Sequence, residues 1–381
     1  MLDSLRLDSF RCFESVDLPL RGLTLLTGLN GAGKSTLIQA LAVLKQTLQS
    51  DLRASQLMLN GPEVTLGSFN RVVHDLTDGT HFAIGVSSGE ERLLWTFEGE
   101  RHDLAAQVAQ VAIGGDRCQD VGEFHFLLPT SAATENRINI MKSIASVTHL
   151  TSERPTPQAI HRLELPQAPK SVGRDGSVAV ALLHMLRDEA VEQGARHPDV
   201  KNPRLIAQVE GWMRHLFPGF RMQVVHFPDS NVVTLGIRLS DATNFHSPAQ
   251  TGYGLTQVLP VVIAALVSRP GEILAVENPE NDLHPRGQAL VGEFLCRIAA
   301  CGVQVLVESH SDHVLNGIRR AVKERTIDSG ETIVHFLNIS EDGAPRIDTL
   351  EVDENGMVDA WPVGFFDQLE RDLEFFAGWD I

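Results

Sequence analysis

Cysteine is scarce in this chain: four in 381 residues, at Cys12, Cys118, Cys296 and Cys301. They show no paired metal-ligand spacing and fit reduced thiols of a cytoplasmic protein better than a disulfide framework. Long apolar runs are missing as well. The longest, 258–267, is about half a membrane span and is interrupted by Pro260, so a buried helix is expected and no membrane partner. The first residues, Met1-Leu2-Asp3-Ser4-Leu5-Arg6, lack the apolar core of a signal peptide. No heptad pattern runs through several repeats, which excludes a long coiled-coil arm, and internal repeats and low-complexity tracts are absent. Positive charge is in deficit. The formal net charge is −17, so the surface as a whole repels nucleic acid. The one compact basic run, Arg319, Arg320, Lys323 and Arg325, is read as a solvated helix end, with a local nucleic-acid contact as the alternative. What remains is an ordinary globular composition, 43% hydrophobic and 21% charged, long enough for one large domain with an insertion or for two domains.

Against these absences stands one strong motif, Gly28-Leu29-Asn30-Gly31-Ala32-Gly33-Lys34-Ser35-Thr36. It has the P-loop spacing, and both flanks agree with it. Leu23-Thr24-Leu25-Leu26 reads as a short buried strand before it. Leu37, Leu41, Leu44 and Leu48 recur at helical spacing after it. Glycines let successive backbone N–H groups of 30–36 turn toward phosphate, and the helix N-terminus adds its positive end. Lys34 would reach the terminal phosphates and the Ser35 hydroxyl would ligate magnesium. The motif therefore implies nucleoside triphosphate binding.

The rest of the chain is organised around that loop. Residues 1–27 read as a strand pair feeding the loop strand. Leu59-Asn60-Gly61-Pro62 reads as a turn, and Val72-Val73, 81–86 and 93–97 as short antiparallel strands. A loop is expected over 152–176, helices over 178–195 and 205–217, and strands over 222–225 and 232–239. Two continuous apolar strands follow, Ile273-Leu274-Ala275-Val276 ending in Glu277 and 303–307 ending in Glu308-Ser309-His310. Strands without polar alternation suit a sheet covered by helices on both faces. An acidic amphipathic helix closes the chain.

A P-loop hydrolase needs a carboxylate at the end of a second strand for magnesium and a group to orient the attacking water. Ile273-Leu274-Ala275-Val276-Glu277-Asn278-Pro279-Glu280-Asn281-Asp282-Leu283-His284-Pro285 supplies the first. This stretch resembles the Walker B and D-loop of ABC-type AAA ATPases in the RecF, SMC and OLD-like branch, whose usual form is four apolar residues, Asp-Glu-Pro-Glu and a Leu-His-Pro ending. Phe10-Arg11-Cys12-Phe13 before the P-loop, Ser309-His310-Ser311-Asp312-His313 and 252–260 are similar to the start, switch-histidine segment and degenerate signature of that branch. With Trp361-Pro362 to Gln368, the set resembles a subgroup of prokaryotic ATPases with a small C-terminal domain of unknown function. The middle, 100–240, is covered poorly, apart from Thr151-Ser152-Glu153-Arg154 and Val172-Gly173.

The resemblance implies ATP and Mg2+ as cofactors, with Ser35 and Glu277 on the metal and His310 on the terminal phosphate. Glu277 stands where the branch usually has Asp. Asn278 stands where it has the catalytic Glu, and an amide cannot accept a proton. Hydrolysis is then either slow or served by another group, for which Glu280 and Glu308 are the candidates; Glu308 reads equally as a strand-end residue paired to a neighbour. Gly252, Gly254, Thr256 and Gln257 occupy the signature position and would cap the nucleotide of a second chain, the alternative being a Gly-rich turn opening the apolar helix. His284 would belong to the loop that meets the partner subunit.

The expected fold is α/β: an ABC-type head with a mixed sheet over 1–100 and 245–345, an antiparallel subdomain near 60–100, an inserted helical or α+β lobe over 101–244, and a small tail domain over 346–381. The expected function is a slow ATP-hydrolysing switch that forms a homodimer or higher assembly around nucleotide and gates a partner effector such as a nuclease. An anti-phage role is implied by the resemblance alone. The competing readings are a non-hydrolysing ATP sensor and a DNA-acting nuclease or repair ATPase; the roughly 70 residues after the switch histidine are expected to be too few for a built-in nuclease domain.

Overall fold

The computed structural model describes residues 1–76, 79–118, 122–163, 171–341 and 343–377, and 164–170 of the expected loop fall outside them. The N-terminal half carries β1 (Ser4–Phe10), β2 (Phe13–Pro19), β3 (Leu23–Gly28), α1 (Lys34–Ser50), β4 (Gln56–Met58), β5 (His81–Ser88), β6 (Glu91–Glu98), β7 (Ala105–Ile113), α2 (Glu135–Ala145) and β8 (Thr148–Leu150). The lobe that follows holds β9 (Ile160–Arg162), α3 (Ala179–Met185), α4 (Leu205–Leu216), β10 (Arg221–Phe227) and β11 (Val232–Arg238). The remainder is α5 (Tyr253–Val267), β12 (Ile273–Glu277), α6 (Pro285–Ala300), β13 (Gln304–Glu308), α7 (Asp312–Lys323), β14 (Thr332–Ile339), β15 (Pro345–Leu350) and α8 (Gln368–Ala377).

A six-stranded sheet in the order β8-β12-β13-β3-β14-β15 forms the centre, parallel except for β15, which returns antiparallel along β14. Its inner strands are apolar on both faces because both faces are covered. Leu23, Leu25, Leu274, Val276, Val305 and Val307 enter a core shared with α3 to α7. Their neighbours Leu26, Ile273, Ala275 and Leu306 enter a second core, shared with α1, α2 and the antiparallel sheet. That second sheet runs β2-β1-β5-β6-β7-β4, with Asp116–Arg117 pairing β7 at its margin. A three-stranded sheet, β9-β11-β10, sits in the lobe and packs Val233, Leu235 and Ile237 inward. Together these make the mixed α/β head expected from the sequence. No helix among the described residues is long and apolar enough to cross a membrane.

Several local expectations change. Val72 closes a single helical turn, Phe69–Val72, and Val73 makes only an isolated bridge to Phe10. The helix expected over 178–195 ends at Met185. The backbone beyond it is taken by the 203–206 segment: Leu205 N donates to Glu189 O, Ile206 N to Arg187 O and Val191 N to Pro203 O. Those carbonyls and amides cannot also serve helical bonds. The sheets run across the boundaries drawn at 100 and 345, since β7 belongs to the N-terminal sheet and β8 and β15 to the central one. In the basic run, Arg319 donates to Gly356 O at 2.7 Å and stacks on Trp361, while Arg320 meets Glu293 at 3.3 Å. Half of that run is thus engaged within the chain.

Candidate nucleotide-binding site

The carboxyl ends of β3 and β13 meet the glycine loop, with β12 one strand further out, and two glycines there admit no other residue. Gly28 has φ +126°, and a Cβ on it would stand 1.9 Å from the Leu337 carbonyl oxygen. Gly33 has φ +99°, and its Cβ would stand 2.6 Å from the Phe13 ring and 2.8 Å from Cys12 Sγ. The β1–β2 turn therefore lies directly over the start of α1. A cleft of about 530 Å³ opens here, and Asn30, Gly31, Gly33, Lys34, Ser35, Thr36, Glu308 and His310 line it. Arg11, Gln39, Arg71 and Asp75 also line it; of these the sequence names only Arg11, as part of a motif and without a site role. Ala32 is buried behind the loop.

Lys34 folds back over the loop, its Nζ donating to Gly28 O at 3.1 Å and Leu29 O at 2.8 Å, and burial lowers its pKa. Ser35 Oγ donates to Glu308 Oε1 at 3.1 Å, so the hydroxyl expected beside Glu277 instead faces the acid of the neighbouring strand. Glu277 is turned elsewhere. Its Oε1 lies 2.9 Å from His149 Nε2 and its Oε2 accepts from Ser152 N at 3.1 Å. Burial works to raise its pKa, but the His149 bond and charge, the Ser152 N–H and Arg174 leave it lowered. Glu308 has the opposite balance. Burial and the charge of Glu277 push it up to about 7, against the Ser35 bond and Lys34, and its Oε2 is buried with no hydrogen-bond partner.

Asn278 sits at φ +44° and donates its backbone N–H to Glu308 O at 2.7 Å. The left-handed region favours Asn over Glu, a local reason for the amide at this position. Glu280 Oε1 accepts from Ser309 Oγ at 2.8 Å and His310 N at 3.0 Å, so this acid fastens the switch segment, and its Oε2 is buried and unpaired. Arg154, missed as a site residue, donates to Glu277 O at 2.6 Å and Asn278 O at 3.1 Å. Burial lowers its pKa to about 10 despite Glu280 and Glu277. His310 lines the cleft with its pKa lowered by burial and by Lys34. His149 was hidden because its strand is three residues long, too short for a periodicity.

The 252–257 segment stands apart from the cleft of its own chain. Gly254 is required by packing, since a Cβ there would stand 2.3 Å from Asp282 O. Gly252 opens α5 with nothing within 4 Å of its Cβ position. Thr256 Oγ1 bonds Tyr253 O in its own turn, and buried Gln257 reaches Pro155 O at 3.4 Å. His284 caps α6, and His313 lies 3.7 Å from Asp312.

A P-loop between two parallel strands, with acids closing the next two strands and a histidine after the second, defines an ABC-type nucleotide-binding head. Residues 4–69 match a family described as an AAA domain, and 148–316 one described as "AAA domain, putative AbiEii toxin, Type IV TA system". Residues 327–375 match a family of proteins of unknown function, DUF3696. The chain is 25% identical over 331 residues to the OLD nuclease of Thermus scotoductus, covering 82% of this chain and 59% of that protein. It therefore spans well under two thirds of that relative. Its fold is similar to an SMC head bound to the C-winged helix domain of ScpA, with TM-score 0.53, 13% identity, and 93% and 98% of the two chains covered. It is also similar to a Pyrococcus furiosus-derived SMC head with an extended coiled coil bound to the C-terminal domain of ScpA, with TM-score 0.50, 10% identity and 99% and 98% covered. Together these matches support an ABC-type AAA ATPase head of the RecF, SMC and OLD-like type.

Proposed function

We propose that this protein is a slow ATPase switch that binds ATP with Mg2+, dimerises head to tail around nucleotide and gates a partner effector. The single observation carrying this reading is the convergence of Lys34, Ser35, Glu308 and His310 on one cleft from two distant parts of the chain. The loop amides and Lys34 bind the triphosphate, and His310 orients the terminal phosphate. The donor set suits a hard divalent cation: a hydroxyl, strand-end carboxylates and a buried, unpaired carboxylate oxygen. Mg2+ would be held by Ser35 and a strand-end acid, and when bound it neutralises phosphate charge. Slow turnover follows from Asn278, which cannot take a proton, leaving Glu280 or Glu308 as the acid able to orient water.

The exposed start of α5 with Gly252 supports a composite site, because an uncovered glycine turn allows close approach of a second chain's nucleotide. Closing on nucleotide from both sides would bias the dimer toward the closed state. The SMC heads bound to ScpA and the OLD nuclease support a head that works with another protein or activity, here a nuclease-type effector in an anti-phage setting. The non-hydrolysing sensor is the second reading, favoured by Asn278. Lys34→Ala is expected to abolish nucleotide binding and phosphate release, and ATP with Mg2+ should double the wild-type mass in solution. A wild type that neither binds ATP nor changes mass overturns the proposal. Binding without phosphate release selects the sensor.

A further inference from the structure

We infer that Glu308, rather than Glu277, is the carboxylate that holds a divalent cation beside the Ser35 hydroxyl. The inference rests on the nucleotide-binding reading above and departs from the motif pattern, which gives the ion to the acid closing β12.

Sheet order comes first. β13 pairs directly with β3, with Glu308 opposite Leu26, whereas β12 lies one strand further out, about 4.8 Å more remote from the loop strand. Ser35 follows β3 through the loop, and its hydroxyl meets Glu308 at 3.1 Å.

Occupancy separates the two acids further. Both oxygens of Glu277 are taken, by His149 Nε2 and by the Ser152 N–H. Releasing either one would strip a partner from a buried group, and His149 already has its Nδ1 buried and unpaired. Glu308 is 5% exposed, and its Oε2 has no hydrogen-bond partner while the side chain lines the cleft beside Lys34 and His310. A buried acceptor left without a donor carries its full desolvation cost, which a cation would remove. Among the described residues no three His, Cys, Asp or Glu side chains form a ready-made cage. A small hard cation that takes one hydroxyl, one carboxylate, water and phosphate oxygens requires none. The ligand class is therefore a hard divalent ion such as Mg2+ or Mn2+, bound jointly with nucleotide. In this arrangement Glu277 is a positioning residue that ties the 149–152 segment to the strand end.

The test uses the full chain, with Mn2+ as a paramagnetic probe titrated against protein and ADP, and fluorescent ADP binding in EDTA as a separate measurement. Glu308→Gln should weaken Mn2+ binding by about tenfold or more, while Glu277→Gln should change it by less than about threefold, each compared at saturating ADP as fixed by that variant's own ADP affinity in EDTA. Glu308→Asp, which keeps the charge, should restore part of the loss. The reverse ranking, or equal loss in both Gln variants, overturns the inference. A wild type that fails to bind fluorescent ADP in EDTA while its circular dichroism shows it folded overturns the nucleotide-binding reading itself, and the inference with it.

Discussion

β12 and β13 end alike in sequence, each a buried run closed by glutamate, and they lie side by side with Glu277 in register opposite Glu308. Their environments differ because each has a different second neighbour, β8 beside β12 and β3 beside β13. β8 brings His149 and the Ser152 N–H to Glu277, which is saturated and lowered in pKa. Glu308 lies between β12 and β3, faces the glycine loop, and keeps one oxygen unpaired. On the other side of β3, β14 offers a control. His335 is fully buried, with its Nε2–H directed at Pro19 O (2.8 Å) and its Nδ1 3.0 Å from the Thr349 hydroxyl. Buried polarity that is fully paired is structural; buried polarity left open at a cleft is available to a ligand.

The largest expected effect belongs to the control. Burial pushes His335 down to about 4, so the folded state holds it neutral. Its contribution is complete above pH 6.5 and is lost as pH falls from there through about 4, amounting to about 3 kcal/mol. Urea unfolding at stepped pH should show that slope, and His335→Gln should flatten it. Next comes the saturated acid. Glu277→Gln presents an amide N–H₂ to either His149 or the Ser152 N–H, and should cost about 2 kcal/mol in the same assay at pH 8. His149→Ala, which leaves Oε1 without its partner, should cost about 1–3 kcal/mol and make Glu277 resemble Glu308. The smallest effect is expected at the open acid. Glu308→Gln removes a buried charge whose second oxygen has no donor, so unfolding should shift by less than about 1 kcal/mol, toward greater stability. A Glu308→Gln loss as large as that of Glu277→Gln would erase the distinction between the two strand ends.

Much of this was legible before the fold was known. The loop, its strand and helix, and both acidic strand ends could be read because each is a local pattern of glycine spacing or continuous apolarity. Arg154 and His149 were not legible as site residues. They act on Glu277 and Asn278 from more than a hundred positions away, one from a three-residue strand and one from irregular backbone. The helix ending at Met185 was misjudged for a related reason, since residues 203–206 take backbone groups that periodicity assigns to the helix. Gly254 was expected to face phosphate, and within the chain it is the close approach of α5 to Asp282 that requires it.

By itself the sequence determined which groups exist: a glycine loop with P-loop spacing, two glutamates closing buried strands, an amide at 278 and a histidine at 310. Which of those groups are spent and which are open was decided by tertiary structure alone. The reason is that hydrogen-bond saturation at a strand end depends on the neighbouring strands in the sheet, and sheet order joins segments that nothing local in the chain connects.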